Sequence, residues 1–268
     1  MSTANWTIFA VLCASLIAIG WWRKRLSRAK RATARTRSSE TVMRLKQLLP
    51  LVERLRVEAI GEPVFNPETR AYAYLQQSPK VVAVLKIIRA AQGLSALNLL
   101  CRAGLFIDFG VAIRCINDCI DEVYFLLESY QKPSSNVQKF VTGFFESQMT
   151  PDGHLSQTTP AVETSKIRSA RVRYLKDGQQ DDATSKMLEG LYKTYSGYVH
   201  ATHAQIMEVY GGPARNFNLA GIPSVAERQM RMEYVELEAK AVLRAASFVA
   251  HTLGLEEVHR DINAAEES

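Results

Sequence analysis

No charged side chain precedes Arg23, and that feature constrains the architecture of this chain more than any other. Trp6 to Trp22 reads WTIFAVLCASLIAIGWW, and with the neutral residues before it the uncharged run reaches the roughly 20 residues that a spanning helix needs. Trp6 at one end and Trp21/Trp22 at the other match the amphipathic belts of the two membrane interfaces. Arg23, Lys24 and Arg25 follow at once, and a positive flank stays on the cytoplasmic side. A cleaved signal peptide has its positive charge first and small residues at the cut, and Gly20-Trp21-Trp22-Arg23 offers neither. The expectation is an uncleaved single-pass anchor over 1–22 in the inner (plasma) membrane, with the N-terminus outside and the bulk of the chain cytoplasmic. The sequon Asn5-Trp6-Thr7 abuts the bilayer and carries no weight.

Charge is distributed unevenly behind the anchor. Arg23 to Arg37 holds eight Lys/Arg and no Asp/Glu, so the net +6 of the 268-residue chain becomes −2 once that run is set aside. The basic stretch over 23–39 is a linker that orients the anchor and attracts anionic lipid headgroups, by about 1 kcal/mol per cation near the surface. The remainder, 40–268, has the wrong overall sign for a domain that wraps phosphates, although a local basic groove stays open. Cys13 falls in the anchor, while Cys101, Cys115 and Cys119 share an apolar region without any C-x-x-C pair. That pattern speaks for buried reduced thiols and against zinc or thioredoxin-like chemistry.

Periodicity over 40–268 is helical throughout, and no alternating strand pattern or internal repeat stands out. Val42, Leu45, Leu48/Leu49, Val52 and Leu55 fall on one side of a first helix, which Pro50 kinks or splits. Gly61 to Pro67 marks a turn. Lys80 to Tyr130 predicts two buried helices parted near Gly93 or Gly104, with charges too frequent for a second membrane span. A short helix through Phe144/Phe145 follows, then a loop over 150–160 and a polar helix over 163–176. Asp181 or Asp182 opens a long helix to about Tyr210, and a last one runs from Ser224 to about Leu253. The fold class expected is all-α: a helical bundle preceded by a single transmembrane helix.

Three clusters carry candidate chemistry. On the helix containing Arg114, Asp118 and Glu122, four-residue steps make one polar stripe, which Asp121 joins. It is either an ion-pair ladder at the bundle surface or a functional stripe inside it. Tyr192, Ser196, His200 and His203 share the next face. A hydroxyl one turn from an imidazole suits a Ser–His nucleophile, and two histidines suit a metal, yet no orienting third residue or H-E-x-x-H spacing accompanies them. Polar core or interface histidines are the alternative, and no cofactor is called for. Glu256-x-x-His259 lies in what reads as a frayed tail, and GGPARNFNLAGIP lacks the ending of a phosphate loop. That stretch suits a rigid connection or a lid over the histidine helix.

Arg244 and His251 stand seven residues apart, two turns along one face of the last long helix. This spacing resembles the Arg-x(4–6)-His motif of HEPN-type helical bundles, although Ala245 occupies a position that is usually polar there. The Tyr-Ser-His helix ahead of Tyr210-Gly211-Gly212 is also similar to bacterial helical proteins grouped near that family. The resemblance implies a metal-independent ribonuclease acting as a homodimer, with His251 in acid-base catalysis and Arg244 stabilising phosphate. The expected function is a membrane-tethered bundle acting on RNA in stress or defence, or else a non-enzymatic scaffold that recruits a protein partner to the membrane.

Overall fold

The computed structural model describes residues 43–67, 70–131, 134–146, 162–175, 182–212 and 215–267; the anchor with Cys13, the basic linker, Asp181 and the loop 150–160 lie outside the described residues. Among the described residues nine helices and two short hairpins follow one another, so the chain is all-α, with a little strand that the periodicity did not show. Helix α1 covers 43–60. It continues through Pro50 without a split. The lost N–H removes one bond, while buried Leu45, Leu48, Val52 and Leu55 hold both halves against the core. The turn after it is a two-stranded hairpin, β1 (Val64–Asn66) paired antiparallel with β2 (Ala71–Ala73).

Helix α2 (Pro79–Ala103) starts where Ser78 accepts the Val81 amide and Pro79 fills the first turn. It stops at Gly104, whose φ of 75° is the left-handed conformation of a helix C-cap. Of the two candidate breaks Gly104 is therefore the real one. Gly93 instead sits inside α2, where a Cβ would come within 2.8 Å of Ile116 Cγ1, so its bare backbone lets α2 and α3 (Phe106–Gln131) close up. Among the described residues α2 alone is long and apolar enough to cross a membrane, and 56% of its apolar window is buried inside the domain, the mark of a core helix.

The remaining elements are α4 (Ser135–Glu146), α5 (Thr164–Leu175), α6 (Asp182–Val199), α7 (His203–Met207), β3 (Tyr210–Gly211), β4 (Asn216–Phe217), α8 (Val225–Thr252) and α9 (Glu256–Glu267). Helix α3 is the hub, packing on α2, α4, α5, α6 and α8. Helices α2 and α8 run antiparallel: the Cys101 thiol donates to the Arg228 carbonyl at 3.3 Å, and Arg228 Nη1 donates to the Arg102 carbonyl at 2.9 Å. Phe109, Ile113, Ile116, Ile120 and Val123 of α3 meet Val235, Val242 and Val249 of α8 in one core. Burial raises the Cys101 and Cys119 thiols to about 11, and Cys101, Cys115 and Cys119 are all free.

Two expectations fail for local reasons. The helix expected from residue 182 to about Tyr210 breaks after Val199. Ala201 turns left-handed (φ 47°), the Thr202 amide bonds back to the Gly197 carbonyl at 3.0 Å, and α7 begins afresh at His203. The tail is not frayed: Val258 and Ile262 are buried, and Arg54 of α1 bridges Glu257 at 3.2 Å and Asp261 at 2.6 Å. Periodicity along twelve polar-rich residues cannot show that a neighbour covers their two apolar members.

Candidate functional site

The polar stripe of α3 is not one ladder. Arg114 and Asp118 pair along the helix, but Glu122 turns to Lys86 of α2 at 2.6 Å and Asp121 turns to Arg171 of α5 at 3.0 Å. Behind them lies a buried network. Arg171 Nη1 also donates to Asn117 Oδ1 at 3.3 Å, and Asn117 Nδ2 donates to both Glu238 oxygens at 3.0 Å. Arg114, Asp121 and Glu238 are each less than a tenth exposed. Burial raises the Asp121 carboxyl in spite of Arg171 beside it. Glu238, whose neighbour is a neutral amide, goes further: burial lifts it to about 7.

Tyrosines close this chamber on the α6 side. The guanidinium carbons of Arg114 and Arg168 stand 3.8 and 3.7 Å from the Tyr192 ring centroid, so one ring takes two cations. Tyr195 is raised by burial and by the nearby Glu238. A cleft of about 430 Å³ between α3 and α5 is lined by Arg114, Asp118, Asp121, Glu122, Thr164 and Arg168. Among the described residues the buried Nε atoms of Arg168 and Arg171 find no hydrogen-bond partner. The lining sets two guanidiniums against three carboxylates.

The second cluster comes apart with its helix. Tyr192 belongs to the chamber and Ser196 is half-buried, while His200 and His203 are exposed on either side of the break. Among the described residues no hydrogen bond joins the Ser196 hydroxyl to an imidazole, which removes the geometric premise of a Ser–His nucleophile. Tyr198 is the anchor of this region. Its ring lies flat against Gly110 of α3, where a Cβ would approach Tyr198 Cγ to 2.3 Å. Its hydroxyl donates to Glu208 at 2.7 Å, and Glu208 holds Arg231 of α8 at 2.8 Å. Among the described residues no three His, Cys, Asp or Glu side chains gather closely enough to hold a metal ion.

Arg244 and His251 do face one way on α8, and both are exposed. Their neighbour is α9, with five carboxylates against one guanidinium. Arg244 Nε donates to Glu266 at 2.9 Å, and His251 lies 5.0 Å from the ring of His259. His259 bonds the buried Ser247 hydroxyl at 2.9 Å, and Asn263 accepts from that same hydroxyl. This second Ser–His contact, which the sequence did not suggest, fastens α9 to α8 in the same way that a cap fastens a helix end.

An apolar face lies beside the chamber. Met187 and Leu191 on α6, and Met230, Tyr234 and Leu237 on α8, are between 44% and 60% exposed. Tyr195, one turn beyond Leu191 on α6, lies close enough to α8 to feel the charge of Glu238 and the Tyr234 hydroxyl. Helix α6 buries Tyr198 alone, and α7 buries nothing. Sequence reasoning missed Asn117, Arg168, Arg171 and Glu238. Glu238 had a signal: it falls three residues after Val235 and four before Val242, on the buried side of α8. Arg171 had none, because its helix is polar on most sides. Compared with family models, curated proteins and solved structures, the chain matches none of them.

Proposed function

We propose that this chain is a single-pass membrane protein whose cytoplasmic helical domain is a docking module for a protein partner. The observation that carries this reading is the set of exposed apolar residues at helical spacing on α6 and on α8. Single exposed apolar residues are ordinary on any monomer, but stripes at helical spacing mark a candidate interaction site. Met230, Tyr234 and Leu237 follow one another at four and three residues, the anchor spacing of a helix face. The carboxylates of Asp118, Glu122 and Asp121 in the charged chamber are paired with Arg114, Lys86 and Arg171, which suits a support for that face. The uncharged run before Arg23 and the basic run after it supply the tether.

The test is a photo-crosslinking amino acid placed at Met230, Leu237 or Leu191 in the full chain in its membrane, with exposed Leu99 of α2 as control. Discrete adducts at the first three positions, abolished by Tyr234→Asp, support docking. Labelling no different from Leu99 overturns it. Deleting residues 1–22 tests the tether separately, because the domain then leaves the membrane fraction.

A second reading rests on one observation, the shared exposure of Arg244 and His251 on α8. It makes the chain an RNA-cleaving homodimer resembling HEPN proteins. The acidic α9 beside both residues weighs against it, since phosphates are repelled there. Cleavage of a mixed RNA pool in EDTA by wild type, lost in His251→Ala and in Arg244→Ala, would restore it.

A further inference from the structure

Two segments far apart in the chain fold into the same hairpin. Val64-Phe65 with Arg70-Ala71-Tyr72, and Val209-Tyr210 with Arg215-Asn216-Phe217, place valine, aromatic, arginine and aromatic at identical spacing. In each the aromatics are cross-strand partners, Phe65 with Tyr72 and Tyr210 with Phe217. The rings meet edge to face at 5.2 Å in the first and 5.0 Å in the second. In each the arginine closes the turn in the left-handed region, with φ of 53° at Arg70 and 47° at Arg215. Glycine or asparagine is the ordinary choice there, because a Cβ is strained. An arginine held twice at that cost in one chain points to use of its side chain.

Both guanidiniums are exposed, and among the described residues neither makes an ion pair. All four aromatic rings are exposed as well, from 42% to 71%. The first hairpin leads into the Ser78 cap of α2, and the segment after the second is pinned to the other end of α2 by the bond from the Ile222 amide to the Gly104 carbonyl at 2.9 Å. The 25 residues of α2 separate these two attachment points by roughly 35–40 Å.

We infer that the two hairpins are a matched pair of membrane-surface contacts that hold the domain against anionic lipid headgroups at both ends. An amphipathic ring beside an exposed cation is the side-chain set that settles at headgroup level, the ring at the interface and the cation on phosphate. The length of chain outside the described residues favours this occupant. From Arg23 to Met43 is 20 residues, which even fully extended reach only about 70 Å, so an anchored chain keeps the domain within that distance of lipid. The inference rests on the tethered reading above.

The experiment reconstitutes the full chain into phosphatidylcholine vesicles with and without phosphatidylglycerol. Flotation reports the tether, and hydrogen exchange of the segments 63–74 and 208–219 reports the hairpins. Both hairpins are expected to exchange more slowly on the anionic vesicles. Arg70→Gln and Arg215→Gln should each reduce that protection about fivefold at the altered hairpin, the worth of one cation near an anionic surface. A chain that floats with equal hairpin exchange on both lipids overturns this inference alone. A chain that fails to float overturns the tether and this inference with it. Protection that appears only when RNA is added, with no dependence on lipid charge, also overturns it.

Discussion

Helices α3 and α6 pack against each other, yet they treat their side chains in opposite ways. Helix α3 buries its apolar residues and also draws Arg114 and Asp121 out of water, satisfying Arg114 with Asp118 one turn along the helix and Asp121 with Arg171 of α5. Helix α6 buries Tyr198 alone and leaves Met187, Leu191 and Val199 in solvent. A hub helix has neighbours on every side, so even a charge there must find a protein partner. A helix touching the bundle along one edge has a free face, and what it exposes is open to selection by a partner. Loss of a partner should therefore cost most in the polar interior, while the apolar exterior is where the proposed docking would act.

The largest break in that contrast is expected inside. Asp121→Ala strands Arg171 in a buried site and should cost about 3–5 kcal/mol, measured by urea unfolding of the purified protein. Asp121→Leu combined with Arg171→Met should recover most of the loss, because an apolar pair fills the space without stranded charge. An Asp121→Ala variant as stable as wild type would show the chamber open to water.

Next comes Glu238, with the opposite sign. Its carboxyl holds a proton more tightly in the folded protein (about 7) than at its ordinary value of 4.5. Its contribution to stability is therefore full below pH 4.5, is lost as pH rises through about 7, and is flat above. Glu238→Gln removes that loss and should stabilise the protein at pH 8 by about 3 kcal/mol at most, with little effect at pH 4. Unfolding midpoints at the two pH values decide it.

The boundary between the two helices comes third. Gly110→Ala drives a methyl into the Tyr198 ring, which already sits where a Cβ would lie 2.3 Å from Cγ. Overpacking of this kind costs about 1–3 kcal/mol, and it should loosen α6 selectively, seen as faster exchange over 186–198 than over α2. Uniform loosening of the whole domain would erase the distinction drawn between the two helices. The smallest effect is expected on the exterior. Leu237→Lys should change stability by less than about 0.5 kcal/mol, while removing the crosslinks described above.

Much of the domain is legible in its sequence. The paired helices α2 and α3, the polar α5, and α8 from Ser224 onward all show in the spacing of apolar residues, because a helix face repeats every 3.6 residues whatever it packs against. Capping residues such as Ser78 and Ser224 carry their own local chemistry and mark where helices start. The charged stripe Arg114–Asp118–Glu122 was visible as a stripe, and Arg244 and His251 as a shared face.

What the stripe does was not visible. Asp121 bonds Arg171 fifty positions away, Asn117 bonds Glu238 across 121, and Glu122 answers to Lys86 on another helix. Those partners are chosen by which helices adjoin, and adjacency is a property of the packed core. Hairpin identity was decided in the same way: Phe65 with Tyr72 and Tyr210 with Phe217 became a recognisable repeat only when their registers and the left-handed arginines could be compared. Sequence by itself determined where helices begin, which faces are apolar and where charge is concentrated, since these are local energies. Tertiary structure alone decided which charges are buried, which apolar faces stay uncovered and which distant residues meet, since these depend on neighbours brought together by folding.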